Sequence, residues 1–388
     1  MRMNHRSPDD DDPAQAAYRA GDFERAAALQ LQRLQAHRRS GTAASDDHVR
    51  LGAYLWSAGR SHDALAALRE ADALYPRTPQ VLENIGVMLS LGGDAAGARG
   101  FLERALDAGS TSLNVLDALG AVQLALGERD AAIATARRSL EAKDARFGGA
   151  PVLAAIPSAA PPPFDATPRR RHVISYTLWG DQPRYLAPML ENLRLAKHLF
   201  PRWVVRIHAD PSVPADYRRE AEKEGAEWQE RRLAAGEPVF RRLLWRFEVA
   251  ADPALARFLV RDADALLTVK ERVAVDDWLR SGRCFHMMRD FPSHCDLVLA
   301  GLWGGVAGVL PPVADWLAAF RPWRLENAHV DQDLLSGAVW STLKQSLLVH
   351  DSVFTGCLGS VPFPPYGDLP PGQHVGQNAF IHFRPERR

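Results

Sequence analysis

Cysteine is scarce in this chain of 388 residues: Cys284, Cys295 and Cys357 are all there is. They form no C-x-x-C pair, so neither a disulfide framework nor a zinc site is favoured, and a reducing compartment suits them. Net charge is absent as well, with 47 basic residues against 47 acidic ones. That balance argues against a phosphate-tracking nucleic-acid binder and against a polybasic membrane anchor. No apolar run approaches the roughly 20 residues that span a bilayer. The first residues, MRMNHRSPDDDDP, are acidic and polar where a signal peptide would be cationic and then apolar. The expectation is a cytoplasmic protein with no membrane span and no nucleic-acid partner. Lysine stands only at 143, 197, 223, 270 and 344, so arginine supplies nearly all the positive charge.

What is present is distributed unevenly. At roughly 100–200 residues per domain the length suggests about two domains. Nine of the ten tryptophans lie beyond residue 170, whereas the first 146 residues are mostly Ala, Leu, Arg, Asp and Gly. Between these halves, residues 147–171 are rich in Pro and Ala, which forbids a regular helix and reads as a semi-rigid linker. The expected domains are therefore 13–146 and 172–388.

The first half repeats. Gly52, Gly86 and Gly120 are 34 positions apart, as are Ala64, Ala98 and Ala132, and Ala71, Ala105 and Ser139. Small residues at fixed phases of that period mean paired helices in close approach. Turn signals at Gly59, Gly92-Gly93 and Gly127 divide each unit into two helices. A looser copy at 13–40, beginning its second helix at Gly21-Asp22-Phe23, is offset by a few residues. The pattern resembles the tetratricopeptide repeat. The resemblance implies an all-α repeat array whose concave face binds a peptide or another subunit, with a rigid spacer as the alternative.

From residue 172 the periodicity changes. Residues 172–178 read as a buried strand, a helical pattern follows through Leu186, Leu190, Leu193 and Leu199, and further strands are expected at 203–208, at 258–260 and from Cys284, the last running into a polar loop at Asp290–His294. Alternation of this kind implies an α/β domain built of parallel βαβ units, with ligands at the carboxyl edge of the strands. At that edge the chain reads Phe258-Leu259-Val260-Arg261-Asp262-Ala263-Asp264. Residues i and i+2 point the same way on extended backbone, so Asp262 and Asp264 are expected to converge on one hard divalent cation, Mn²⁺ or Mg²⁺. An acidic pair that only caps a turn is the alternative.

The strand followed by Asp262-Ala263-Asp264 resembles the DxD metal site of GT-A-type glycosyltransferases, over most of residues 172–388. His329-Val330-Asp331-Gln332-Asp333 is similar to the DQ segment beside the sugar in such families, and Ile381-His382-Phe383 to the segment that supplies a histidine as third metal ligand. The three motifs stand in the family's order. After His382-Phe383 the usual Gly and Lys-Pro-Trp are replaced by Arg384-Pro385-Glu386. The resemblance implies a Rossmann-like transferase domain acting on a nucleotide sugar, with Asp262, Asp264 and His382 on the metal.

Within that frame other residues acquire expected roles. Arg246 and Arg261 are candidates for the diphosphate. Thr177, Trp179 and Asp181, after the first strand, are candidates for the nucleoside. Asp290, Gly301, Trp303, Gly304 and Gln332 are candidates for the sugar, Trp303 having ordinary core packing as its alternative. Asp331 is the expected base if the reaction inverts, and Asp290 is counted beside it as catalytic. His350-Asp351 closes another strand at the same edge, with His350 competing with His382 as ligand. The acceptor is expected to be a protein or glycan recruited by the repeats. An inactive transferase-fold scaffold is the alternative; a nucleotidyltransferase lacks its glycine- and lysine-rich phosphate loop here.

Overall fold

The computed structural model describes residues 12–320 and 329–379. They divide into two compact units, Met1–Ala136 and Arg137–Arg388. The first is a helical repeat array. It pairs α1 (Pro13–Arg19) with α2 (Phe23–Ser40), α3 (Ser45–Ser57) with α4 (Ser61–Leu74), and α5 (Pro79–Leu91) with α6 (Ala95–Asp107). Next, α7 (Leu113–Ala125) meets the first turns of α8 (Arg129–Phe147). Each pair is joined by a glycine with positive φ, at Gly21, Gly59, Gly93 and Gly127, where a side chain would be strained. The offset of the first copy now has a location: α2 is 18 residues long where α4 has 14. The phased glycines mark close approach. A Cβ on Gly52 or Gly86 would come within 2.9 or 2.7 Å of Leu68 or Leu102. Gly120 faces the smaller Ala136, and its nearest neighbour is 3.7 Å away.

The second unit is built on a seven-stranded sheet. Its elements run β1 (His172–Leu178), α9 (Pro183–Leu199), β2 (Val204–Ala209), α10 (Ala215–Lys223), β3 (Glu227–Glu230) and α11 (Arg241–Leu244). A 3₁₀ segment, Trp245–Ala250, leads to β4 (Arg257–Arg261), α12 (Val269–Arg280), β5 (Phe285–Arg289), β6 (Leu302–Val306) and α13 (Val313–Ala319). Last come α14 (Val330–Leu334), a π-helical turn Leu335–Val339, α15 (Trp340–Leu343) and β7 (Leu347–Asp351). The sheet order is β3-β2-β1-β4-β6-β5-β7. The expected parallel units are present in β1, β2, β3 and β4, and the sheet as a whole is mixed, because β6 runs antiparallel to both β4 and β5. Its glycines permit the insertion: a Cβ on Gly304 would collide with the Phe258 carbonyl, and one on Gly305 would press on the Phe285 ring.

The carboxyl ends of β1, β2, β4, β5 and β7 share one edge, and β2 and β4 lie on opposite sides of β1. A crevice at such a reversal of strand order is where open α/β sheets bind ligands. Beneath it, Ile174, Tyr176, Leu193, Phe200, Leu259 and Trp278 are buried in one core. The Pro/Ala-rich stretch has no helix or strand before the 3₁₀ turn Arg169–Arg171. It is tied to this unit where Leu153 N donates to Thr342 Oγ1 at 2.8 Å and Arg257 donates to the Pro162 carbonyl at 2.5 Å. Among the described residues no helix is long and apolar enough to cross a membrane.

Candidate functional site

Strand β4 is buried at every position and ends at Arg261, so Asp262 is the first residue to leave the sheet. A turn follows at once, with Ala265 N donating to the Asp262 carbonyl at 3.3 Å. The two acids are therefore neighbours across a turn, and the expected alternation along extended backbone is not what brings them together. Gly301, after the β5–β6 loop, leaves the space that the Asp262 carboxylate fills; a Cβ there would overlap it. The glycine expected to touch a sugar thus shapes the acid.

Arg246 organises the centre. Carried on the 3₁₀ segment after α11, it donates through Nη1 to Asp262 Oδ1 and through Nη2 to Asp331 Oδ2, the latter at 2.8 Å. Nη1 also reaches the Arg261 carbonyl at 3.1 Å. The Arg246 side chain is 4% exposed and that of Asp331 8%, while the Asp262 side chain is 45% exposed. One face of the cluster is therefore open and the rest enclosed. Burial, reinforced by the Asp262 charge and opposed by Arg246, holds the Asp331 carboxyl above the usual range. Asp331 Oδ1 accepts from the backbone N–H of Gln332, in the first turn of α14.

Asp264 lies on the other side of the turn, its carboxyl raised by burial and then by the Asp262 charge. Two residues that sequence reasoning passed over stand near it, Arg184 and Tyr185, joined by a 2.7 Å hydrogen bond. Both open α9, the helix that follows β1, where the first turn of a βα unit faces the sheet edge; that position was the available signal. Ala379 N donates to the Asp264 carbonyl at 2.7 Å, and Asn378 pairs with Ala265 across an antiparallel bridge. His382 lies outside the described residues. Among those described, no group of three His, Cys, Asp or Glu side chains gathers as a metal site. Two carboxylates with an open face still suit a Mg²⁺-like ion, which commonly takes one or two carboxylates and completes its shell with phosphate and water.

At the ends of β1 and β2, Thr177 Oγ1 donates to the Arg242 carbonyl at 2.8 Å, and Arg242 Nε donates to Asp210 at 3.1 Å. Trp179 is half-buried beside the Tyr185 ring, 6.5 Å between centroids, and Asp181 is exposed. Burial would raise the Asp210 carboxyl, but hydrogen bonds from Ser212 and the charge of Arg242 bring it below its ordinary value. Asp210 and Arg242 were not anticipated. Their pairing joins elements 32 residues apart and needs the fold to be seen.

Other expected residues are engaged elsewhere. Arg261 is buried on β4 in an ion pair with Glu271 of α12 and donates to the Trp303 carbonyl at 2.9 Å, so it does not face the crevice. Trp303 packs edge-on against Phe247 and Phe258 at 1% exposure, which is its core alternative, and Gly304 serves the β4–β6 pairing. His350 is buried on β7, 2.8 Å from His286 and 3.2 Å from Asp277. Asp290 lies buried after β5, where Lys270, Ser352 and the Val375 N–H all donate to it, at 2.5, 2.5 and 2.9 Å. Gln332 Nε2 is 3.3 Å from His329, and its Oε1 is buried without a partner among the described residues. A separate cleft of about 590 Å³ borders Arg231, Arg241, Trp245 and Glu248 and holds none of the expected residues.

No family model and no curated protein matches the chain. Among solved structures it is similar to MamA, 20% identical over 34% of this chain and 80% of that one, with a TM-score of 0.30. It is also similar to TTC0263, a thermophilic TPR protein of Thermus thermophilus, 20% identical over 33% and 69%, TM-score 0.29. A mutant O-GlcNAc transferase of Thermobaculum terrenum is 20% identical, covering 64% of this chain and 44% of the transferase, TM-score 0.37. The chain thus spans less than half of that enzyme.

Proposed function

We propose that the second unit is a GT-A-type glycosyltransferase that moves a sugar from a nucleotide-diphosphate sugar to an acceptor hydroxyl with Mn²⁺ or Mg²⁺, and that the repeats recruit the protein or glycan acceptor. One observation carries the reading: Asp262 and Asp331, far apart in sequence, are joined by buried Arg246 at the sheet edge where strand order reverses. Asp262 and Asp264 hold the cation, with His382 as the third ligand; Ala379, three residues before it, is bonded to Asp264. Bound there, a divalent cation neutralises the charge that develops on the departing diphosphate.

The remaining roles belong to the chain itself. Arg246, and Arg184 at the start of α9, supply fixed positive charge to the phosphates. Thr177, Trp179 and Asp181 line the approach for the nucleoside, joined by Asp210 and Arg242. Asp331 accepts the acceptor's proton if the anomeric centre inverts. A carboxyl held above its usual range is the better base near neutrality. Gln332 follows it on α14, and its uncommitted Oε1 is an acceptor available to a sugar hydroxyl. Asp290 fixes the segment around Val375 to the end of β5 and acts by positioning.

The test is release of nucleoside diphosphate from a panel of nucleotide sugars in the presence of Mn²⁺. Turnover should need the cation and fall roughly 100-fold or more in Asp262→Asn. Asp331→Asn should lose about 10²–10⁴ in kcat while donor binding persists. Absence of turnover with every donor, together with no Mn²⁺-dependent nucleotide binding, would leave the scaffold alternative standing.

A further inference from the structure

The chemistry of Arg246 goes beyond holding phosphate. Its two η nitrogens are committed to two carboxylates on different elements, and a backbone carbonyl fixes the group from behind. Its Nε is buried with no partner among the described residues, so one donor of the fork is uncommitted. A buried donor without an acceptor is unfavourable and marks a place where an acceptor is missing. The exposed member of the cluster is Asp262, the carboxylate that a cation arriving from solvent meets first. Three carboxyl groups, Asp262, Asp264 and Asp331, face two guanidiniums, Arg246 and, near Asp264, Arg184, so the acids outnumber the fixed cations.

Resting on the transferase reading above, we propose that Arg246 is an internal counter-ion: it occupies Asp262 while the metal site is empty, releases it when a divalent cation binds, and turns its freed donors to the diphosphate. The consequence is coupling between the two ligands. A cation alone must displace Arg246 and then sits beside a buried guanidinium of like charge, which weakens its binding. When a diphosphate enters with it, an anion separates the two positive groups and gives the released N–H donors their acceptor. Throughout, Nη2 stays on Asp331, so the base keeps its orientation while the opposite arm of the same fork changes partner.

Mn²⁺ affinity is measured by electron paramagnetic resonance with and without UDP, GDP or ADP, for the full chain and for Arg246→Met. The counter-ion role predicts that Arg246→Met binds Mn²⁺ alone about fivefold or more tighter than the parent, and that the enhancement by nucleoside diphosphate shrinks by a similar factor. Unchanged or weaker Mn²⁺ binding by a folded Arg246→Met would overturn it. A measurement on the unmodified sequence covers the case in which that variant does not fold. In ¹⁵N-labelled protein the Arg246 Nε–H signal, assigned through Arg246→Lys, should shift on adding Mg²⁺ and again on adding the diphosphate; a signal indifferent to both overturns the proposal. Failure of the transferase reading looks different: no Mn²⁺ binding by the parent or by Arg246→Met even with a nucleoside diphosphate present, or equal binding by Asp262→Asn.

Discussion

Charged residues at strand ends look alike in a sequence, and only their environments separate them. Asp262 and Arg261 are adjacent, yet one leaves the sheet with its carboxylate half-exposed and the other turns into the interior to meet Glu271. The acid pair was legible because a buried strand precedes it. The inward course of Arg261 was not, since it depends on where α12 places Glu271. His208 makes the same point for a titratable group. It is buried on β2 with neither ring nitrogen bonded among the described residues. Burial, then the charges of Arg231 and Arg206, lowers its folded value to about 3. An unfolded histidine titrates near 6.5, so the folded state is favoured above that value and loses the advantage as pH falls from about 6.5 toward 3. At pH 5 the loss from this one group is about 2 kcal/mol relative to pH 8. His208→Leu should remove that dependence, so urea midpoints of the variant and the parent should diverge between pH 7 and 5. Parallel curves would show that His208 is not held neutral.

Elements were legible where their period was strong. The 34-residue rhythm marked the helix pairs, and continuous apolar runs marked β1 and β4. Two strands escaped: β3, whose Glu-Trp-Gln-Glu is suited to a charged sheet edge, and β6, whose glycines read as a ligand loop because glycine is depleted in strands. The sheet is mixed because of β6, and no periodicity in its five residues announces the direction of a strand. The repeat glycines carry a finer distinction that the period conceals. Gly86 is pressed by Leu102, whereas Gly120 has room because position 136 is alanine. Gly86→Ala should therefore destabilise by about 1–3 kcal/mol through overpacking. Gly120→Ala should be neutral or stabilise by up to about 1 kcal/mol, through the helix propensity gained over glycine. Urea unfolding of the two variants decides the matter; equal destabilisation would mean that both helices approach as closely.

For the whole molecule, the composition change pointed to a division near residue 147, and the packing of α8 gives that expectation a physical test. Its last turns lie within the second unit, which begins at Arg137: Lys143 is buried and donates to Asp296 and to the Cys295 carbonyl, both at 2.8 Å. Asp144 accepts from Trp340 Nε1 at 2.7 Å and pairs with Lys344 at 2.6 Å. The ammonium is buried while Asp296 keeps some contact with solvent, so removing Lys143 costs less than breaking a fully enclosed ion pair, about 1–3 kcal/mol. A linker beginning at 147 would leave Lys143 and Asp144 outside the second unit, although their partners Asp296, Trp340 and Lys344 all lie in it. A fragment starting at residue 137 should accordingly unfold in one cooperative transition and bind Mn²⁺ as the full chain does. A fragment starting at 148 should melt at a clearly lower temperature, because Lys143 and Asp144 are gone. Lys143→Met in the longer fragment should reproduce part of that loss. If the two fragments melt together, the end of α8 belongs to the repeats after all, and the Pro/Ala-rich stretch is the true boundary.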